Sequence, residues 1–230
     1  MRYFLLPILL LLSLCSCDKL KNNSYHEPII IKTNAPVPFG DSLAVWIESN
    51  KEGYNYRLFH PTGLYKGASY NTRASYGSDR GTYIAEAIGD ETRTDSLYVD
   101  LIPLTAPCSP STNQLIGDNG ISFDLNSAVE TTLPNYTIKY QTDTTSLTLR
   151  FKKSSRPQEN ATYISTSSTY NMLEYDVFVT MESNGQLQSL TNQPIYVEVN
   201  NGTISISLCN FALRGYSQKI YIDANLQFSE

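Results

Sequence analysis

The side chains able to do chemistry in this chain are few and unevenly placed. There are 4 cysteines. Cys15 and Cys17 close an N-terminal apolar run, and Cys108 and Cys209 stand alone far beyond it. Neither Cys108 nor Cys209 has a second Cys or His at ligand spacing, so a zinc site is not expected. A disulfide between them and a pair of buried free thiols are the two alternatives. The 2 histidines are isolated: His26 lies in a polar N-terminal segment and His60 precedes Pro61. Both read as solvated surface residues, and no Ser-His-Asp relay assembles from them. The acids are scattered, as at Asp95, Asp124, Glu130, Asp143, Glu174 and Asp176. A glycosidase needs two carboxylates about 5–9.5 Å apart around a cleft, and no pair stands out. Phosphate-cradling glycine loops, His-Glu-x-x-His and calcium-loop spacing do not occur. No cofactor and no metal are expected.

Tyrosine is the residue type with a pattern, at 17 occurrences. Tyr54, Tyr56, Tyr65, Tyr70 and Tyr76 cluster with Arg57 and Arg73. Phenol rings offer flat amphipathic surface for stacking sugars or a partner protein; the alternative is that they line a half-buried sheet. Residues 64–80 carry much Tyr, Ser, Gly and Asn and read as a long loop. Tyr65, Tyr70, Tyr76 and Arg73 are therefore the candidate ligand contacts.

The elements that would carry these residues begin with an export leader. Met1-Arg2 supplies a positive charge and an apolar run follows from Tyr3 to Leu14. That run is too short for a transmembrane helix, which needs about 20 apolar residues, but it suits a signal peptide. Leu14-Cys15-Ser16-Cys17 resembles the bacterial lipobox, with Leu three residues before the acceptor cysteine and a small residue just before it. The resemblance implies cleavage after residues 1–16 and lipidation of Cys17. Two or three acyl chains hold stably where one binds reversibly, at about 0.8 kcal/mol per buried CH₂. Residues 17–27 read as a polar tether unable to bury a core. Asp18 is similar to the inner-membrane retention signal of enterobacterial lipoproteins. The membrane therefore stays open, with an outer-membrane place in the cell envelope as the expectation.

Lys and Arg number 17 against 22 Asp and Glu, a net charge of −5. That balance argues against nucleic acid as a partner. Abundant Tyr, Thr, Ser and Asn favour strands and turns, and no run of helical period is apparent. The expected fold is all-β: an immunoglobulin-like β-sandwich over residues 28–104, then a second antiparallel sandwich or barrel-like domain over 107–230.

In the first block, Ile29-Ile30-Ile31, Leu43 to Ile47, Tyr54 to Phe59, Thr82 to Ala87 and Ser96 to Leu101 read as strands. Asp79-Arg80-Gly81-Thr82-Tyr83-Ile84-Ala85 resembles the Asp-x-Gly-x-Tyr-x-Cys signature of immunoglobulin-like domains. The resemblance implies a tyrosine corner of Asp79 and Tyr83, the Tyr83 hydroxyl clamping the turn before its strand. Leu58 to Gly63 is similar to the strand and turn of polycystic-kidney-disease-type domains. Two positions depart from the family: Ala85 replaces the second cysteine and Leu58 replaces the core Trp, the only Trp being Trp46.

In the second block Tyr136 to Tyr140, Leu147 to Phe151, Tyr175 to Met181 and Ile220 to Phe228 alternate. Ile195 to Leu208 contains Asn201-Gly202 between two alternating runs, a strong hairpin signal. Pro107 to Asn113 and Val197 to Cys209 resemble the ends of a small domain of Bacteroidetes-type lipoproteins. This likeness places Cys108 and Cys209 at matching ends of one domain. Asp41-Ser42-Leu43, Asp95-Ser96-Leu97 and Asp143-Thr144-Thr145 look like O-glycosylation triplets of such exported proteins. The function expected is a lipid-anchored, non-catalytic binding or structural module whose partner is a glycan or another envelope protein. The alternatives are a surface glycan-binding lipoprotein of a nutrient-uptake system and, third, a hydrolase.

Overall fold

The computed structural model describes residues 28–229 apart from 50–52, 76, 90, 119, 121, 126 and 184. The leader, the tether with Cys17 and His26, and Tyr76 lie outside the described residues. Every regular element described is a strand, so no helix there is long and apolar enough to cross a membrane.

The first block holds β1 (Ile31–Thr33), β2 (Val37–Pro38), β3 (Ser42–Ile47), β4 (Asn55–Phe59), β5 (Ser69–Arg73), β6 (Gly81–Ile88), β7 (Thr92–Val99) and β8 (Leu101–Ile102). They form two three-stranded antiparallel sheets, β1-β3-β5 and β4-β6-β7, with a short parallel pair β2-β8. Strand side chains alternate between faces, so each sheet turns one apolar row inward. Ile31, Leu43 and Val45 supply one row and Leu58, Tyr83, Ala85 and Ala87 the other, all buried. Leu58 and Ala85, the two departures from the immunoglobulin pattern, are both fully buried. Apolar packing thus occupies the two positions where the immunoglobulin resemblance would put a Trp and a Cys. Trp46 faces the other way and is partly exposed. Residues 64–80 are not one long loop. β5 lies within them and pairs with β3 from Ser42↔Arg73 to Trp46↔Ser69. Backbone pairing with β3 overrides a local sequence with no apolar alternation.

The second block holds β9 (Gln114–Gly117), β10 (Ser122–Asp124), β11 (Ser127–Thr131), β12 (Thr137–Gln141), β13 (Ser146–Phe151), β14 (Ala161–Thr166), β15 (Asp176–Ser183), β16 (Gly185–Ser189), β17 (Pro194–Asn200), β18 (Thr203–Arg214) and β19 (Lys219–Phe228). These belong to a single sheet in the order β10-β9-β19-β18-β17-β14-β15-β13-β12-β11. β16 pairs with both β15 and β18 and so closes a barrel-like ring through β17 and β14. All pairings are antiparallel except β14 with β15. The β17–β18 hairpin turns at Asn201 (φ 48°) and Gly202 (φ 82°). Two consecutive positive φ values match the twist of the flanking strands, and only Gly and Asn accept them readily. The predicted inward rows Leu147, Leu149 and Phe151 and Tyr175, Val177, Val179 and Met181 are buried, as are Ile222, Ala224 and Leu226 of the last row, whose end members Ile220 and Phe228 are half-buried.

A small polar network fastens the ring. The Ser189 hydroxyl, fully buried, accepts from Val179 N at 3.1 Å and donates to Thr166 O at 2.5 Å. Ser165 Oγ donates to Leu190 O and accepts from Gln193 N. The Gln193 amide bonds Leu190 O, Ala212 O and Ala212 N. These polar groups are buried with partners, so they fix geometry without a desolvation penalty left open.

Cys108 and Cys209 are joined in a disulfide across 101 residues of sequence. Cys209 sits where β18 changes register against β19 between Leu208 and Phe211. In the chain-entropy account, a closed loop of this length restricts the unfolded chain by up to about 4–5 kcal/mol. Replacing both cysteines by serine is expected to lower the unfolding free energy by about 2–5 kcal/mol. Urea denaturation of the oxidised protein and the double variant reads this loss. Superimposable curves would show that the bridge adds nothing.

Candidate functional site between the two blocks

The site is best built from Asp79, a carboxylate only 1% exposed. A buried carboxylate is tolerable only where donors surround it. Asp79 Oδ1 accepts from the Tyr70 hydroxyl at 2.8 Å and from His60 Nε2 at 3.2 Å. Its Oδ2 accepts from Ser75 N at 2.8 Å and the Ser78 hydroxyl at 3.0 Å. The backbone N–H of Thr62 donates to His60 Nδ1 at 3.2 Å. With Nδ1 accepting, Nε2 is the ring nitrogen that donates to Asp79.

Two expectations are corrected here. His60 is not a solvated surface residue: it is 4% exposed and ties the turn after β4 to the corner before β6. Its ring meets Tyr70 and Tyr83 edge-on at 5.1 and 5.4 Å. The tyrosine corner of Asp79 and Tyr83 also differs in form. Tyr83 is fully buried, but its hydroxyl has no hydrogen-bond partner among the described residues. Burial pushes that phenol far above its ordinary range. The turn is clamped by the Asp79 carboxylate, with Tyr70 donating in the place expected of Tyr83.

Through Ser75, Asp79 shapes one wall of a cleft of about 750 Å³ between the blocks. Arg73, Ala74 and Ser75 line it from the first block; Asp176, Thr191 and Asn192 line it from the second. Clefts between packed units are favoured places for ligands. Arg73 stands exposed at the rim on β5. Thr191 and Asn192 lie in the turn fixed by the Ser165 and Gln193 network, with Asn192 at φ 64°. Asp176 accepts from Leu173 N at 2.7 Å, and burial raises its pKa.

The opposite wall is set by the next residue in the chain. Arg80, with a side chain 14% exposed, crosses between the blocks. Its Nε donates to Asp100 at 2.8 Å and its two terminal nitrogens grip both oxygens of Glu159. Arg80 Nη1 also donates to the Tyr175 hydroxyl at 2.7 Å, and Tyr175 donates onward to Glu159 at 3.0 Å. Bidentate charge-assisted pairs of this kind fix distance and angle together. Arg80 holds the Glu159 carboxyl below its ordinary range, and burial pushes the Tyr175 phenol up to about 12. Leu104 N donates to Thr162 Oγ1 at 2.9 Å, a second tie across the same junction.

The four candidate ligand contacts separate. Arg73 reaches the cleft, whereas Tyr70 is on β5 with its hydroxyl committed to Asp79. Tyr65 is exposed and bridged to Phe59, and it does not line the cleft. Tyr76 is outside the described residues. Glu159, Tyr175, Thr191 and Asn192 escaped sequence reasoning because cross-block pairing leaves no local pattern. Among the described residues, no group of three or more His, Cys, Asp or Glu side chains is placed to hold a metal ion.

Fold and site together define a two-block, disulfide-bonded all-β body with a cleft of mixed polar and apolar lining at its junction. No protein-family model matches the chain, and no curated protein matches it either.

Asp79→Ala is expected to cost about 2–4 kcal/mol of stability by stranding several buried donors, and Tyr70→Phe about 1–2 kcal/mol. Urea midpoints of the two variants check the ranking, which fails if Tyr70→Phe costs as much as Asp79→Ala. The clamp carries a pH signature as well. Glu159 is ionised more readily folded than unfolded, so its contribution is complete above the ordinary glutamate range and is lost as pH falls through the folded value. Stability should therefore drop on acidification less steeply in Glu159→Gln than in the native chain. Parallel acid profiles would remove Glu159 from the account.

Proposed function

We propose that the chain is an exported lipoprotein fastened to a membrane through acyl chains on Cys17, with a non-catalytic body that binds a partner in the cell envelope. The observation that carries this reading is the fate of the cysteines. Cys108 and Cys209 are bridged inside the body, a state that an oxidising, extracytoplasmic compartment maintains. The other two, Cys15 and Cys17, stand at the end of the apolar leader, where Cys17 matches the lipidated position. An outer-membrane location is the accompanying proposal.

The acids in and beside the cleft are engaged in a way that supports binding over hydrolysis. Glu159 is held by Arg80 and Tyr175, and Asp176 caps the backbone at Leu173. Groups so committed serve positioning better than proton transfer, which needs an acid or base free to meet substrate. The second reading, a surface glycan-binding lipoprotein serving nutrient uptake, is favoured by a groove in the second block that carries exposed amide and guanidinium side chains and an exposed tyrosine.

Radiolabelled palmitate fed to expressing cells should enter the native chain and Cys15→Ala, and should not enter Cys17→Ala. Equal labelling of the native chain and Cys17→Ala would overturn the anchor.

A further inference from the structure

On the side of the 189–193 turn away from the cleft lies a groove of about 810 Å³. Gln186 and Gln188 project into it from β16, Arg214 from the end of β18, and Tyr216 from the β18–β19 turn. Tyr216 is fully exposed, and the other three are exposed as well. None of these four side chains has a hydrogen bond, ion pair or ring contact with the protein among the described residues. That contrasts with the interblock junction, where the polar side chains are spent on each other.

The groove is held in shape by a glycine. Gly215 N donates to Gln218 O to close the turn that carries Tyr216. A Cβ on Gly215 would fall 2.8 Å from Leu187 Cδ2 and 3.1 Å from Gln186 O. A side chain at this position would have to displace the Leu187 methyl and press on the Gln186 carbonyl, so glycine lets the turn sit this close against β16.

The lining selects the chemistry. No carboxylate is among its described lining residues, and its polar groups are amide, hydroxyl and guanidinium. Planar amide and guanidinium groups can engage two neighbouring hydroxyls at once, and an exposed phenol ring stacks on the apolar face of a sugar ring. A net charge of −5 disfavours nucleic acid.

The sheet itself sets a length. Arg214 pairs with Gln188, Gln188 with Thr180 and Thr180 with Thr148, a row across β18, β16, β15 and β13. Neighbouring strands lie about 4.8 Å apart, so the row runs about 14 Å, the length of about three sugar rings. Gln186 is shared with an adjoining hollow lined by Thr148, Arg150, Phe178, Thr180 and one carboxylate, Glu182, which continues the surface along that row.

We propose that this face binds an unbranched oligosaccharide, neutral or uronic, with Tyr216 as the stacking platform and Gln186, Gln188 and Arg214 as the hydrogen-bonding groups. The inference rests on the reading of the body as a binding module, and it can fail while lipidation of Cys17 stands. The test applies the detergent-solubilised full chain to an array of defined neutral and uronic oligosaccharides of two to eight units, with calorimetry on the ligands retained. Trimers and longer chains should bind more tightly than dimers. Tyr216→Ala and Gln188→Ala, both at exposed positions, should weaken binding at least tenfold. Tyr65→Ala, an exposed tyrosine of the first block, should bind as the native chain does. No retention on the array, or native affinity in Tyr216→Ala and Gln188→Ala, would overturn the assignment. Loss of binding in Tyr65→Ala alone would also overturn it.

Discussion

A carboxylate taken out of water must be repaid in donors, and the organisation of the first block follows from how Asp79 is repaid. Its four partners come from three places in the chain: His60 after β4, Tyr70 on β5, and Ser75 and Ser78 in the corner before β6. One charged group thereby fixes two turns and a strand relative to one another. Arg80 follows at once and performs the reverse task, carrying a charge out of that corner to Glu159 and Tyr175 in the second block. The dipeptide Asp79-Arg80 thus sets both walls of the cleft, one by holding Ser75 and the other by holding Tyr175. Neither role depends on the hydrophobic effect. The apolar rows make the two blocks stable, but they are non-directional and would tolerate several relative placements. The directional bonds select one.

The second block depends on a different device. A sheet this wide would have to be long and open if β16 did not return to pair with β18. β16 has little apolar surface of its own, since only Leu187 and Ser189 point inward. Its placement relies on Ser189, whose hydroxyl replaces a backbone partner for Val179 N, and on Gly215, whose missing side chain admits the neighbouring turn. The neighbouring Ser165 and Gln193 contacts fix the 189–193 turn, which stands between the cleft and the groove. A few polar bonds and one close approach therefore position two concave surfaces simultaneously.

The parts of this architecture legible in the sequence are those where one face is buried and the other is not. Val177, Val179 and Met181 against Asp176, Phe178 and Thr180 announce both the strand and its orientation, and Asn201-Gly202 announces its turn through backbone chemistry alone. β5, β14 and β16 escaped because their sequences lack that contrast: Ser69 to Arg73 is nearly all polar, and Ala161 to Tyr163 is buried without alternation. The candidate site was less legible still. Arg73 was visible as a charge among tyrosines, but Glu159 and Tyr175 gain meaning only from Arg80, a partner 79 and 95 residues away. His60 misled because a histidine before a proline in a turn has the local signature of a surface residue. Only the distant carboxylate that buries it shows otherwise.

The disulfide has a mechanical consequence. Cys108 follows directly on the junction between the blocks, and Cys209 lies on β18 a few residues before the turn that carries Tyr216. Covalent continuity from the first block to that turn therefore bypasses everything between residues 109 and 208. Tension applied at the β18–β19 turn reaches the junction through a short stretch of β18 and one sulfur–sulfur link, leaving the intervening strands outside the load path.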